Sequence, residues 1–226
     1  FEVQDTPAIA AVASDAGVWT LLDNTWASPL YFKPFDHGVD DSIQAATKYI
    51  AGHSDLELGT VTASKSAYSK LQRGWQELGL CAAPDDAFLA MRGLRTISVR
   101  LSAHWENGLK VADWLAAQPE VLEVMHPALP TDPGHRLWKR DFLGASGLFG
   151  FVLKPEFGNE ALLSALLDDL QLFGMGFSWG GYARLLNPNS PASQRTATRW
   201  QRGGRPKGQS MRIHVGLDSP DVLIAD

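Results

Sequence analysis

Val18-Trp19-Thr20-Leu21-Leu22-Asp23 is a near-continuous apolar run closed by an acid. A run without polar alternation is the pattern of a strand buried on both faces of a parallel sheet. It puts Asp23 at the strand's carboxyl end. Open α/β sheets hold ligands beyond those ends, so Asp23-Asn24-Thr25 is placed either for a site or as an acidic cap on the next turn. Upstream, Asp5-Thr6-Pro7 leads into Ala8, Ile9, Ala11 and Val12 and stops at Gly17. A polar cap, a first-turn proline and a closing glycine predict a short helix there. Downstream, Val39 to Ala46 reads as a second strand with Thr47-Lys48-Tyr49 just past its end, so Lys48 is expected near Asp23. Leu58 to Ala63 is a third β-like stretch.

From Asp85 to Ala117 the apolar residues Phe88, Leu89, Met91, Leu94, Leu101, Trp105, Leu109, Ala112 and Leu115 recur at mostly helical spacing, with a break near Gly93. This helical stretch is expected to bridge two domains. The pattern then changes: Val121 to Met125 and Gly147 to Leu153 read as strands, Leu162 to Leu172 as an amphipathic helix, and Met211 to Val215 as a last strand, an α+β organisation. Gly144 to Gly150 is glycine-rich but lacks the Lys-Ser/Thr ending of a phosphate loop, and reads as the start of a strand. Asn187 to Gln209, rich in Pro, Ser, Gly and Arg, reads as loop. Within it Arg199 to Lys207 is basic with one aromatic; a solvated loop is preferred there to a nucleic-acid patch.

The 226 residues, 45% hydrophobic and 20% charged, suffice for one large core or two modest ones. A formal charge of −5 offers no global attraction to nucleic acid or to an anionic membrane, and small-molecule chemistry is the better expectation. No apolar run is long enough to span a bilayer and no leader is evident, so a soluble protein is expected. The single Cys81 excludes an intramolecular disulfide, fits a reducing cytoplasm, and is expected to be a small buried apolar residue. His37, His53, His104, His126, His135 and His214 are not spaced as a metal set, and no metal is assigned. The chain opens at Phe1 and stops just after the apolar Val222-Leu223-Ile224, so both ends read as cut.

A lysine beyond one strand, a carboxylate beyond the preceding one and an arginine far downstream are each weak signals alone. Together they suit a chemistry that needs an amine for a Schiff base, an acid beside a ring nitrogen and a cation for a substrate carboxylate. The local sequences sharpen this. Gln44-Ala45-Ala46-Thr47-Lys48-Tyr49-Ile50-Ala51-Gly52-His53-Ser54-Asp55 resembles the cofactor-lysine motif of the Cys/Met-metabolism pyridoxal-phosphate family. Asp23-Asn24-Thr25-Trp26-Ala27-Ser28-Pro29, whose acid lies 25 positions before Lys48, resembles that family's acid motif. Phe177 to Tyr182 and Met211 to Leu217 resemble its substrate-binding segments, and the similarity runs from Phe1 to Asp226, broken mainly around Asn189 to Gln209.

The resemblance implies an α/β protein of the aspartate-aminotransferase-like fold (fold type I). Residues 1–95 would be the C-terminal half of the cofactor-binding domain, and 96–226 a smaller α+β C-terminal domain. It implies pyridoxal 5'-phosphate as cofactor, with Lys48 carrying it and moving protons, Asp23 paired with its ring nitrogen and Thr47 offering a hydroxyl to its phosphate. Arg212, helped by Ser178 and Trp179, would hold the α-carboxylate of a sulfur amino acid. Trp179 and Asn24-Thr25-Trp26 resemble the bacterial beta-lyase branch, implying cleavage of cystathionine to homocysteine, pyruvate and ammonia. The gamma-synthase and gamma-lyase branches are the alternatives, and an inactive fragment serving only in subunit interaction is another. A cytoplasmic homotetramer is the implied assembly. Family members also carry an earlier region with a glycine loop and helix N-terminus for the phosphate and a ring-stacking tyrosine. Two departures stand out: Ala45 replaces a phosphate-binding serine found in many members, and Ala183-Arg184 replaces an acidic-then-small pair.

Overall fold

The computed structural model describes residues 1–191 and 208–226, and two sheets organise them. The first begins where the chain's opening residues cap a helix. Asp5 accepts a hydrogen bond from the Ala8 amide (3.3 Å), Pro7 occupies the first turn, and α1 (Thr6–Asp15) ends before Gly17 in the left-handed region (φ 67°). β1 (Leu21–Asp23) then pairs in parallel with β2 (Asp41–Ala45), and β2 pairs antiparallel with β3 (Gly59–Ala63). The short helix α2 (Ser28–Tyr31) lies in the β1–β2 connection.

Burial of β1 on both faces, expected from Val18 to Leu22, is not found. Val18 is 59% exposed and Leu21 57%. The reason is topological: among the described residues β1 is an edge strand with β2 as its only neighbour. Its parallel pairing does hold, and it puts the carboxyl ends of β1 and β2 on the same side of the sheet.

Three helices follow: α3 (Tyr68–Leu78), α4 (Pro84–Leu94) and α5 (Ile97–Ala116). α4 and α5 match the helical stretch and its break near Gly93. α3 has no counterpart in the sequence reading, and none of its residues is buried. Cys81, expected inside, is exposed, because it lies in the short link between α3 and α4 rather than on an element with a buried face. On α5 the buried residues Ile97, Arg100, Leu101, His104, Gly108, Val111, Ala112 and Leu115 follow a three-four spacing, a single stripe. Its first half packs with Ala46, Tyr49 and Ile50, and its second half with Phe149, Met211 and Ile213.

The second sheet has the order β4-β5-β7-β6, all antiparallel, formed by β4 (Val121–Met125), β5 (Leu148–Leu153), β6 (Leu185–Asn189) and β7 (Gln209–His214). All six residues of β5 are buried. α6 (His135–Asp141), α7 (Glu160–Asp169) and α8 (Pro220–Ala225) complete the fold. α7 starts two residues before the expected Leu162, because Asn159 accepts from the Leu162 amide (2.9 Å), and it ends at Asp169. The expected loop from Asn187 to Gln209 is corrected at both ends: Asn187 to Asn189 close β6 and Gln209 opens β7. β6 is an edge strand, where Pro188 costs no ladder bond to a further neighbour. The basic stretch Arg199 to Lys207 lies outside the described residues.

Candidate active site

The turn that follows β2 carries Lys48, and its shape is fixed by backbone bonds: Lys48 N donates to Ala45 O (3.0 Å), Ala51 N to Ala46 O (2.8 Å) and Gly52 N to Lys48 O (2.8 Å). Beneath it lies Arg100, a residue the sequence reading passed over. From α5 its buried guanidinium donates to Tyr49 O (2.9 Å), Ile50 O (3.1 Å) and Gly93 O (2.8 Å), and its Nε to Thr96 Oγ1 (3.0 Å). Gly93 permits this approach, since a Cβ there would collide with the carbonyls of Ile50 and Ala51. A fixed charge bonded to two carbonyls of the Lys48 turn and to one at the end of α4 holds that turn against α5.

Lys48 Nζ donates to Ser178 Oγ (2.8 Å) and lies 5.5 Å from the centre of the Trp179 ring. Burial pulls its pKa below the usual lysine value; the positive charge of Arg212 adds to that and Glu57 opposes it. Arg212, on β7, donates from Nη2 to Gly176 O (2.9 Å), and burial lowers its pKa too. Among the described residues neither Lys48 nor Arg212 forms a salt bridge. Two cations, one lowering the other's pKa and neither paired in a salt bridge among the described residues, suit an anionic ligand.

Gly180 determines how close the Ser178 loop comes. Its φ is +83°, and a Cβ on it would stand 2.9 Å from Lys48 Cα and carbonyl carbon. The loop backbone thus rests on the lysine's own backbone, and glycine alone meets both demands. Trp179 packs edge-on against the buried Tyr49 ring (5.5 Å between centres) and so serves the core as well as the site.

Asp23 stands exposed at the end of β1, and its Oδ1 accepts from the Thr25 amide (3.0 Å) and from Thr25 Oγ1 (2.5 Å). Thr25 Oγ1 in turn accepts from Ala45 N (2.8 Å), and Gln44 Nε2 donates to Asn24 O (3.1 Å). These bonds lace the acid's turn to the end of β2, three residues before Lys48. Asp23 Oδ2 accepts no hydrogen bond among the described residues. Thr47 is placed differently from a free phosphate ligand: its Oγ1 accepts from Leu58 N (3.0 Å) and makes only a long contact to Leu58 O (3.4 Å). The structure thus brings Lys48 into contact with Ser178 and Trp179, with Arg212 near enough for its charge to act on Lys48 and with Asp23 and Thr47 on the flanking turns.

His214 was set aside in the sequence once no metal set emerged. It is 1% exposed, and its Nε2 accepts from Gly180 N (3.0 Å) while its Nδ1 donates to Ala183 O (3.0 Å). The signal available was its place two residues after Arg212, on the same face of β7. Among the described residues no cluster of three or more His, Cys, Asp or Glu is arranged for a metal ion, and no helix is long and apolar enough to cross a membrane.

Parallel strands that end on an acid and a lysine, faced by an arginine from a second sheet, are features of fold type I enzymes that use pyridoxal phosphate, and the comparisons agree. The family described as Cys/Met metabolism PLP-dependent enzyme matches residues 1–226. The chain is 47% identical to a putative cystathionine beta-lyase of Rhizobium johnstonii over 234 residues, covering 100% of this chain and 56% of that protein. It is also 47% identical to cystathionine beta-lyase of Escherichia coli, covering 100% of this chain and 57% of that protein. A crystal structure of cystathionine gamma synthase from Xanthomonas oryzae in complex with aminoacrylate and cysteine superposes with a TM-score of 0.88 at 35% identity, over 100% of this chain and 58% of that one. This chain belongs to the Cys/Met-metabolism family of pyridoxal-phosphate-dependent enzymes. It spans a little over half the length of the curated relatives it matches.

Proposed function

We propose that the protein is a carbon–sulfur lyase that cleaves cystathionine to homocysteine, pyruvate and ammonia, with Lys48 as its catalytic lysine. The observation that carries this is the Lys48 amine: half-buried, bonded to Ser178 Oγ, and pulled below its usual pKa first by burial and then by the charge of Arg212. A partly buried lysine whose charged form is disfavoured is suited to act as a nucleophile and as a base. The beta-lyase names of the two relatives at 47% identity support the choice of substrate.

The residues present fit pyridoxal 5'-phosphate. Lys48 would hold it covalently, Asp23 would use its unoccupied Oδ2 for the ring nitrogen, and Thr47 would turn its hydroxyl hydrogen from the long Leu58 contact toward the phosphate. When bound, that group supplies an electron sink for the carbanion left by loss of the α proton. The chain's own residues do the rest. Arg212 takes the substrate α-carboxylate in a bidentate grip, from a guanidinium already anchored on Gly176 O. Ser178 and Trp179 bound the same end of the substrate, and the Lys48 amine removes the α proton and delivers a proton to the leaving sulfur.

The same proposal divides the chain into a cofactor-binding part, 1–95, and a C-terminal part, 96–226, linked by α5, which contributes to both apolar clusters. The substrate would be a small sulfur amino acid and the assembly a cytoplasmic homotetramer. Among the described residues Phe88, Met91, Leu94 and Val99 are exposed on α4 and α5, apolar surface of the kind that subunit contacts cover.

The test is spectroscopic and chemical. With added pyridoxal phosphate the protein should develop the visible absorbance of a lysine-linked cofactor and release pyruvate from cystathionine. Lys48→Ala should lose the band and at least about a hundredfold of the rate. A folded Lys48→Ala protein that keeps both would refute the assignment.

A further inference from the structure

We propose that His214 is a positioning residue: a two-ended clamp, held in a single tautomer, that sets the height of the Ser178–Ala183 loop over Lys48. The clamp's role in substrate binding rests on the proposed function; its geometry does not.

The two ends of the imidazole have opposite duties. Gly180 N can only donate, so Nε2 must present a lone pair; Ala183 O can only accept, so Nδ1 must carry the hydrogen. Only the neutral Nδ1–H form satisfies both. Protonation would turn Nε2 into a donor facing another donor and would cut the Gly180 bond. The surroundings oppose that change. Burial, His104 on α5, Arg212 on β7 itself and Lys48 on the turn after β2 all disfavour a second proton, against the support of Ala183 O, and the pKa falls to about 3. The other rings against it, Tyr49 (6.0 Å) and His104 (5.2 Å), pack tilted and hold its plane.

The clamp reaches the chemistry through Gly180. That residue's backbone lies on Lys48, and two positions before it Ser178 Oγ accepts from Lys48 Nζ at 2.8 Å. Arg212 and His214 alternate onto one face of β7, so the same strand sets the guanidinium and the loop. A separate tie, Leu217 N to Tyr182 O at 2.9 Å, holds the loop's far end without help from the histidine. Loss of the clamp should therefore loosen Ser178 to Gly180 while the loop stays attached.

Two variants test this. His214→Phe keeps the ring packing and deletes both bonds, whereas His214→Gln can accept from Gly180 with its carbonyl oxygen and donate to Ala183 with its amide. In His214→Phe, amide exchange across 178–183 should accelerate at least tenfold with β5 and β7 unchanged. KM for cystathionine should rise at least tenfold, with kcat falling less and with Lys48 still trapped by borohydride with its cofactor. His214→Gln should recover most of both effects. Unchanged loop exchange, or an unchanged KM in a protein that cleaves cystathionine, overturns the clamp. If the parent protein does not cleave cystathionine, the functional reading fails and the exchange result alone decides. If His214→Phe does not fold, ¹⁵N spectra of the parent decide: an Nδ1–H imidazole that does not titrate between about pH 5 and pH 8 is expected, and an Nε2–H or titrating ring overturns the proposal.

Discussion

The two sheets each contain apolar strand residues and bury them to different degrees. In the four-stranded sheet β5 is wholly buried, and Phe149, Val152 and Met211 are without measurable exposure. In the three-stranded sheet β1 and β3 are largely exposed, although Leu21, Leu22 and Val61 are as apolar as anything in β5. The difference lies in coverage. α5 lays its apolar stripe on one sheet, whereas among the described residues nothing comparable covers β1 and β3. The site sits at the boundary. Lys48 comes from the open sheet, Arg212 and His214 from the closed one, and Arg100 binds the Lys48 turn to the helix they share.

If coverage separates the sheets, truncating the closed one should be costly. Phe149→Ala is expected to lower unfolding free energy by about 3–5 kcal/mol in urea titration. A cost near zero would mean that this core is not as packed as its burial implies.

A smaller effect of opposite sign is expected at Asp41, the fully buried acid of β2, whose carboxylate oxygens have no hydrogen-bond partner among the described residues. Burial, with Asp40 beside it, raises its pKa above the ordinary carboxylate value. The folded state therefore binds the proton more tightly than the unfolded chain. This contribution favours folding most in acid, below the ordinary carboxylate pKa, and is lost as pH rises through the folded pKa. Asp41→Asn should stabilise the protein at neutral pH by about 1–3 kcal/mol and by less near pH 4. Urea midpoints at the two pH values measure it, and an equal effect at both would show that the carboxylate is not desolvated.

The smallest effect is expected on the open sheet. Leu21→Ala should change stability by no more than about 0.5 kcal/mol, because the side chain is already more than half exposed. A loss of several kcal/mol would show that β1 is covered in the protein after all and would dissolve the contrast between the sheets.

What was legible in the sequence follows the same division. β5 could be read because burial on both faces demands an uninterrupted apolar run, β4 and β7 from their apolar residues, and α1 because Asp5, Pro7 and Gly17 mark its ends. β6 was hidden by Asn187, Pro188 and Asn189, residues tolerated on an edge strand but typical of loops. α3 does carry a helical signal, Tyr68, Leu71, Trp75 and Leu78 at three-four spacing with Gly79 closing it, although none of these residues is buried. In the site, Lys48, Asp23 and Arg212 stood out through their motifs. Arg100 could not: its partners are backbone carbonyls about fifty positions upstream, and backbone atoms leave no mark in a sequence. His214 was visible as an alternating partner of Arg212, yet its purpose depends on Gly180, which only the fold brings to it.

The central claim is that Lys48 is the reactive amine of this chain. It is tested most directly by incubating the protein with substoichiometric pyridoxal phosphate, reducing with borohydride and mapping the modified peptide by mass spectrometry. The account predicts a single pyridoxyl group on the peptide containing Thr47-Lys48-Tyr49, reduced in yield when cystathionine competes. Label spread over the surface lysines Lys33, Lys65 and Lys70, with Lys48 unmodified, would contradict it.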